Sequence, residues 1–217
     1  LILADPGLLR LLKKRHADIE FHASTLAHLT NSGAVRFMAE QGVQRVVLPR
    51  HLSVADMEAT IKKVPEVLCD DFLLVGKYPN SEGACTFHQS RPDKVWPCEI
   101  PYEVTPLCDG ASSRLQHAMQ NQVSWSETNR RHGCGLCAIP ELKAAGVHGL
   151  KLVGRGAPAA RKIRNVALTS EFLALAESFT DSKEYRLLAI AAHKERFGAV
   201  CHQNVCYYPE FFVGGDV

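Results

Sequence analysis

What the sequence lacks does much of the first sorting. No apolar run approaches the roughly 20 residues that a membrane span requires, and no signal-peptide pattern opens the chain. Neither sign of charge dominates, with 25 Lys+Arg against 23 Asp+Glu. The whole-chain charge therefore argues for no particular partner, and any basic feature has to be local. There is no internal repeat and no low-complexity segment. The chain contains no G-x-S-x-G elbow, no H-E-x-x-H, no G-x-x-x-x-G-K-[ST] and no G-x-G-x-x-G. Serine-hydrolase, zinc-protease, P-loop and Rossmann chemistries thus have no anchor in it.

What is present is a chain of 217 residues with 46% hydrophobic and 22% charged residues. That is enough for one globular domain with a sizeable core. It begins at Leu1, inside an apolar stretch, and an N-terminal segment is expected to precede it. The first third alternates strand-like and helix-like stretches. Strands are expected over Leu1–Ala4, Ile19–Ala23, Gln44–Leu48 and Glu66–Gly76. Helices are expected over Leu8–His16, Gly33–Gln41 (capped by Asn31-Ser32 and stopped by Gly42) and Val54–Lys63 (capped by Ser53). Alternation at this spacing predicts a parallel sheet, open or closed into a barrel.

Residues 77–135 break the pattern with five prolines and Cys85, Cys98, Cys108 and Cys134. They are expected to form a long cysteine-rich loop, and a loop of that length is uncommon unless functional or disordered. Regular structure is expected to resume with a helix over Pro140–Ala145, a strand over Gly149–Val153, and helices over Pro158–Ser178 and Ser182–Phe197.

Eight cysteines are many for a chain with a good core. Disulfide staples belong to small secreted domains, so in a reducing, cytoplasmic setting these thiols read as metal or redox ligands. Cys134-Gly135-Leu136-Cys137 is a C-x-x-C that can bring two thiolates onto one metal or cluster. The spacing also fits a thioredoxin-like redox pair, but such a pair opens a long helix after a strand, whereas this one follows a polar loop. Cys201 and Cys206 form a second pair. A four-cysteine site for an iron–sulfur cluster or zinc can be drawn from Cys85, Cys98, Cys134, Cys137, Cys201 and Cys206. Cys69, in an apolar strand, reads as an inert buried thiol.

Lys151, Arg155, Arg161, Lys162 and Arg164 form a cationic run with no acid inside it. Arg155 follows a strand, at the end where parallel βα folds bind ligands. A carboxylate or phosphate clamp is one reading, and a solvated helix start is the other. His22 ends the second strand and is placed similarly.

Several blocks of sequence carry a resemblance. They are His22-Ala23-Ser24-Thr25, Thr30 to Phe37, Gly42 to Arg50, Leu136 to Leu142 and Ala145 to Arg155. In that order and separation they resemble the collagenase-like peptidase family (the U-32 peptidases). The resemblance implies a TIM-barrel-like fold, here a partial barrel. Despite the family's name, it also implies a [4Fe–4S] cluster held by four cysteines and oxygen-independent hydroxylation of ubiquinone precursors or RNA bases, with prephenate suggested as oxygen donor. Cys85, Cys98 and Cys137 match the family's ligand positions. The fourth ligand departs from the family pattern, and Cys134, Cys108, Cys201 or Cys206 could take its place. His51 stands where relatives usually have Glu.

The expectation is an iron–sulfur enzyme with its cluster on Cys85, Cys98, Cys137 and Cys134. The adjoining pocket is expected to be lined by His22, Arg50, Lys151 and Arg155, and to take a small carboxylated or aromatic substrate or RNA, with a partner protein of the same family. A collagenase-like peptidase and a non-catalytic zinc-stapled module are the rivals.

Overall fold

The computed structural model describes residues 1–78, 82–84, 105, 110, 112–126, 130–154, 156–179 and 181–212. The chain divides into two compact units, Leu1–Ala84 with Arg130–Val217, and Cys85–Asn129.

The larger unit is built on five parallel strands. These are β1 (Ile2–Leu3), β2 (His22–Ala23), β3 (Arg45–Val47), β4 (Leu68–Leu74) and β5 (Gly149–Leu152), lying in sequence order across the sheet. Each crossover therefore returns the chain to the neighbouring position and never reverses direction. The strands are shorter than their apolar stretches suggest, because only the residues that register with a neighbour enter the ladder. Ile19 to Phe21, for example, precede the His22↔Arg45 pairing.

The helices of this unit are α1 (Pro6–Arg15), α2 (Ser32–Glu40) and α3 (Val54–Ile61), followed beyond the second unit by α5 (Ile139–Ala144), α6 (Ala159–Ser178) and α7 (Ser182–Phe197). Their starts follow from side-chain caps. Asp5 accepts from the Leu8 N–H at 2.6 Å, Asn31 from Ala34 at 2.9 Å and Ser53 from Asp56 at 3.1 Å. Each cap satisfies a backbone donor that the first turn would otherwise leave unpaired. Helix α2 stops at Gly42, whose φ of 98° is one that side-chain-bearing residues avoid.

Leu9, Val35 and Met38 of the helices pack with Val46, Val47, Leu73 and Leu74 of the strands into one core. Cys69 lies in it at 1% exposure, and burial pushes its thiol up to about 11.

In the smaller unit, Ser113–Ser126 forms helix α4. The sequence reading treats 77–135 as loop throughout, so this helix is a correction. The physical reason is local. The run from 113 to 126 holds neither Gly nor Pro, the Ser112 hydroxyl accepts from the Leu115 N–H at 3.3 Å, and Leu115, Met119 and Gln122 recur at helical spacing as its half-buried side chains. Cys85, Cys98 and Cys108 lie outside the described residues.

Candidate functional site

The carboxyl ends of β3, β4 and β5 collect a set of buried charges and rings. Arg50, just past β3, lays its guanidinium 3.6 Å from the centre of the Phe72 ring on β4. Lys151 on β5 brings its ammonium to 5.2 Å from the same ring. Sheet register explains the convergence, since Phe72 and Lys151 are paired across β4 and β5. Arg50 is also ion-paired with Glu82, whose side chain is 6% exposed against 11% for Arg50. Arg50 Nε and Glu82 Oε2 are both buried with no hydrogen-bond partner among the described residues. Buried polar atoms are nearly always matched, so these two leftover atoms are unusual, as are Arg45 Nε, Glu141 Oε2 and Arg186 Nε elsewhere in the unit. The rings of His28 and His51 stand 5.6 Å apart in the same unit.

A C-terminal segment completes this mouth. The Cys134 N–H donates to Val205 O at 2.8 Å, and the Tyr207 N–H donates to Cys134 O at 2.8 Å. The Val75 N–H donates to Gly133 O at 2.7 Å. The end of β4, the Gly133–Gly135 segment and the Val205–Tyr208 segment thus run side by side. This puts Tyr207 in a near-parallel stack on Phe72 at 6.1 Å, with its hydroxyl donating to Val75 O at 2.6 Å. The Lys77 ammonium lies 5.1 Å from the Tyr207 ring, and burial lowers its pKa. Tyr208 donates to Phe72 O at 2.5 Å and stands 3.3 Å from Asp71. Gly135 is required here, because a Cβ on it would sit 2.5 Å from the Tyr208 ring.

The same strand-like pairing gathers thiols. Cys134 bridges Leu74 on one side and Cys206 on the other. The Cys137 thiol donates a hydrogen bond to the Cys206 sulfur. That bond, followed by burial, pushes Cys137 up and holds Cys206 below its ordinary value. Cys201 belongs to the same neighbourhood, with its thiol raised to about 11 by burial and then by Cys206. All five described cysteines are free thiols. Soft thiolates in contact suit an iron–sulfur cluster or zinc. Among the described residues, however, no three His, Cys, Asp or Glu side chains are placed to hold a metal ion. These thiols fit as part of a four-cysteine set rather than the whole.

Of the residues singled out from the sequence, the structure brings Arg50 to Lys151 and Cys134 to Cys137. It places His22 elsewhere. His22 pairs in register with Arg45, which pairs with Leu68, four residues before Phe72 on β4. Its imidazole lies 2.9 Å from Glu20. Arg155, like Cys85 and Cys98, lies outside the described residues. Sequence reasoning missed Asp71, Glu82, Tyr207 and Tyr208. The one usable signal was the pair of adjacent tyrosines directly after Cys206.

Asp71 gives a test of this geometry. It is 1% exposed, and burial, outweighing its bonds to the Phe72 N–H and Tyr208, raises its pKa well above the carboxylate range. A raised folded-state pKa means that the folded protein holds this proton more tightly than the unfolded chain. The stability linked to it is present below the unfolded carboxylate pKa and is lost as pH rises. Asp71→Asn, which needs no proton to stay neutral, is therefore expected to melt above wild type at pH 8, with the gap closing toward pH 4. Melting curves across that range decide it, and parallel profiles would show Asp71 to be ionised throughout.

Rings, cations and thiols are thus gathered at the carboxyl ends of the strands of a parallel βα sheet. The chain belongs to Peptidase family U32, whose model matches residues 1–204. Among curated proteins it is similar to tRNA hydroxylation protein P of Escherichia coli (strain K12), at 25% identity over 71% of this chain and 44% of that protein. It is also similar to tRNA hydroxylation protein P1 of Bacillus subtilis (strain 168), at 36% identity over 71% of this chain and 37% of that one. A shorter stretch, 34% of the chain, is 33% identical to tRNA hydroxylation protein P of Haemophilus influenzae. The chain thus spans less than half the length of the curated relatives it matches. No solved structure matches it. Among the described residues no helix is long and apolar enough to cross a membrane.

Proposed function

We propose that this chain is part of a cytoplasmic tRNA-hydroxylating enzyme, acting on an RNA base by oxygen-independent chemistry that depends on an iron–sulfur cluster. The observation that carries this reading is the approach of both Arg50 and Lys151 to the Phe72 ring, with a buried Arg50–Glu82 ion pair whose Arg50 Nε and Glu82 Oε2 are left over, in the unit that also holds the Cys134 and Cys137 thiols. The names of the relatives supply the reaction class, and the strictly sequential strand order supports reading the sheet as an arc of a βα barrel.

Cys134 and Cys137 would hold a [4Fe–4S] cluster together with Cys85 and Cys98, and the bound cluster would supply one-electron redox chemistry. The chain's own residues do the positioning. Arg50 and Lys151 attract the negative edge of a carboxylated or aromatic substrate, in a place shielded enough for charge attraction to be strong. Phe72 and Tyr207 keep water from that edge. Burial opposes the ionisation of Asp71 and so limits the competing negative charge it sets beside them.

The test has two parts. Protein purified without oxygen is expected to be brown with a broad visible absorbance, and to contain iron and acid-labile sulfide. Cells lacking their own tRNA hydroxylation protein are expected to regain hydroxylated tRNA nucleosides, read by mass spectrometry, when the gene for this protein is supplied. A colourless zinc protein that restores nothing would replace this reading with the zinc-stapled module.

A further inference from the structure

Beyond the Arg50–Lys151 mouth, at the outer edge of the same strand ends, lies a cavity of about 440 Å³. Its lining includes Gly76, Gly154 and Gly156, the apolar Val75 and Val153, and the polar Arg131, Arg161 and Asn165. Three features point to an anion here. First, α6 begins at this cavity with no side-chain cap and no acid in its first turn. Arg161 stands there instead, and a cation at a helix N-terminus opposes the helix dipole, a conflict that a bound anion resolves. Second, Asn165 is 4% exposed, and its carboxamide faces Arg196, with Nε at 3.0 Å and Nη2 at 2.5 Å. Arginine can only donate, so the atom facing it is the amide oxygen. The Asn165 NH2 is then the group left over, and no described residue accepts from it. Third, the positive charge continues outside the cavity. Arg164 lies one turn beyond Arg161 on α6, and Arg196 reaches in from α7. Arg196 is depressed by burial and then by Arg164 and Arg161, as expected where cations crowd.

We propose that this cavity seats a backbone phosphate of the RNA substrate. Arg161 and the Asn165 amide grip the phosphate over the uncapped start of α6, and Arg164 and Arg196 lie along the strand outside. A small carboxylate would use the cavity alone, whereas the outer row of cations suits a polyanion. The inference rests on the RNA-hydroxylation reading and adds to it where the strand lies.

Fluorescence anisotropy with a short end-labelled RNA stem-loop tests it. Arg161→Ala is expected to weaken binding about tenfold, as loss of a charge-assisted contact does. It should also make the fall of log K with log salt shallower by about one, the signature of one lost phosphate contact. Asn165→Asp still accepts from Arg196, so the fold keeps that bond. It puts an anion where the donor was, and is expected to weaken binding at least as much, with an unchanged circular dichroism spectrum. Lys62→Ala, which removes an equal charge just past the end of α3, should leave binding within about twofold.

Arg161→Ala binding no worse than Lys62→Ala would overturn the proposal. So would citrate binding that depends on Arg161 while RNA binding does not, since the cavity would then hold a small carboxylate. Hydroxylated nucleosides made by the wild type in cells are scored separately. Their presence alongside a failed anisotropy result removes this site and leaves the hydroxylation reading standing. Their absence removes the reading itself.

Discussion

Cys137→Ser is expected to strip most of the bound iron from protein purified without oxygen. Cys137 sits three residues after Cys134, and Cys134 is fixed between Leu74 and Cys206 by strand-like bridges. The position of Cys137 is thereby tied to the sheet rather than to a free loop, and its sulfur already touches that of Cys206. Serine keeps the size of the side chain and a weak hydrogen bond but supplies no thiolate. A cluster that loses one of four thiolates is open to solvent at that iron. Cys85→Ser and Cys98→Ser are expected to act alike. Cys69→Ser is the control, because that thiol lies in the core and is held protonated by burial. Iron and acid-labile sulfide per chain, with the visible spectrum, provide the readout. Full iron retention in Cys137→Ser would remove Cys137 from the ligand set. Retention in Cys134→Ser together with loss in Cys206→Ser would move the fourth position to the C-terminal segment.

The scaffold was legible in the sequence because its signals are local. Asn31 and Ser53 mark helix starts through one side-chain oxygen each, and Gly42 marks a stop through its backbone. The residues of β3 from Val46 onward read as an apolar run because both faces of the sheet are covered there. The pairing of Arg50 with Lys151 was half legible, since two strand ends in a parallel sheet point the same way. What brings them together, however, is the Phe72 ring, which the pattern treats only as core. His22 shows the limit of that argument. Strand ends are not all at one level, and the His22↔Arg45 register sets its imidazole four residues short of the mouth. Helix α4 was hidden by the Pro and Gly residues around it. Tyr207, Tyr208 and Cys206 were hidden for a different reason. They reach the site from a segment more than 130 residues after β4, through backbone bonds to Cys134 that no local pattern encodes. They also lie just past the residues matched by the family.

Arg50→Ala is expected to be the most destabilising single change at the mouth. Its partner Glu82 is nearly sealed from water, so removing the guanidinium leaves a buried carboxylate with no counter-charge. Breaking a buried pair from one side typically costs about 3–5 kcal/mol, well above the 0–1 kcal/mol of an exposed pair. For a chain of this size that corresponds to a fall in Tm on the order of 10 °C. The loss of stacking on Phe72 adds to it, because a planar guanidinium 3.6 Å from the ring centre is both packing and cation–π contact. Arg50→Lys keeps the charge without the planar fork and should fall between the two. The decisive comparison is the double change Arg50→Met with Glu82→Leu. If the cost lies in the orphaned carboxylate, removing both charges recovers most of the lost stability, since well-packed apolar replacements for buried pairs are often neutral or better. The double variant should then melt near wild type and yet fail to restore hydroxylated tRNA in cells. That combination would separate the structural role of the pair from its role toward substrate. Arg50→Ala melting within 1–2 °C of wild type would mean that Glu82 takes up a proton or reaches water when its partner is gone, and the mouth would be wetter than its burial indicates.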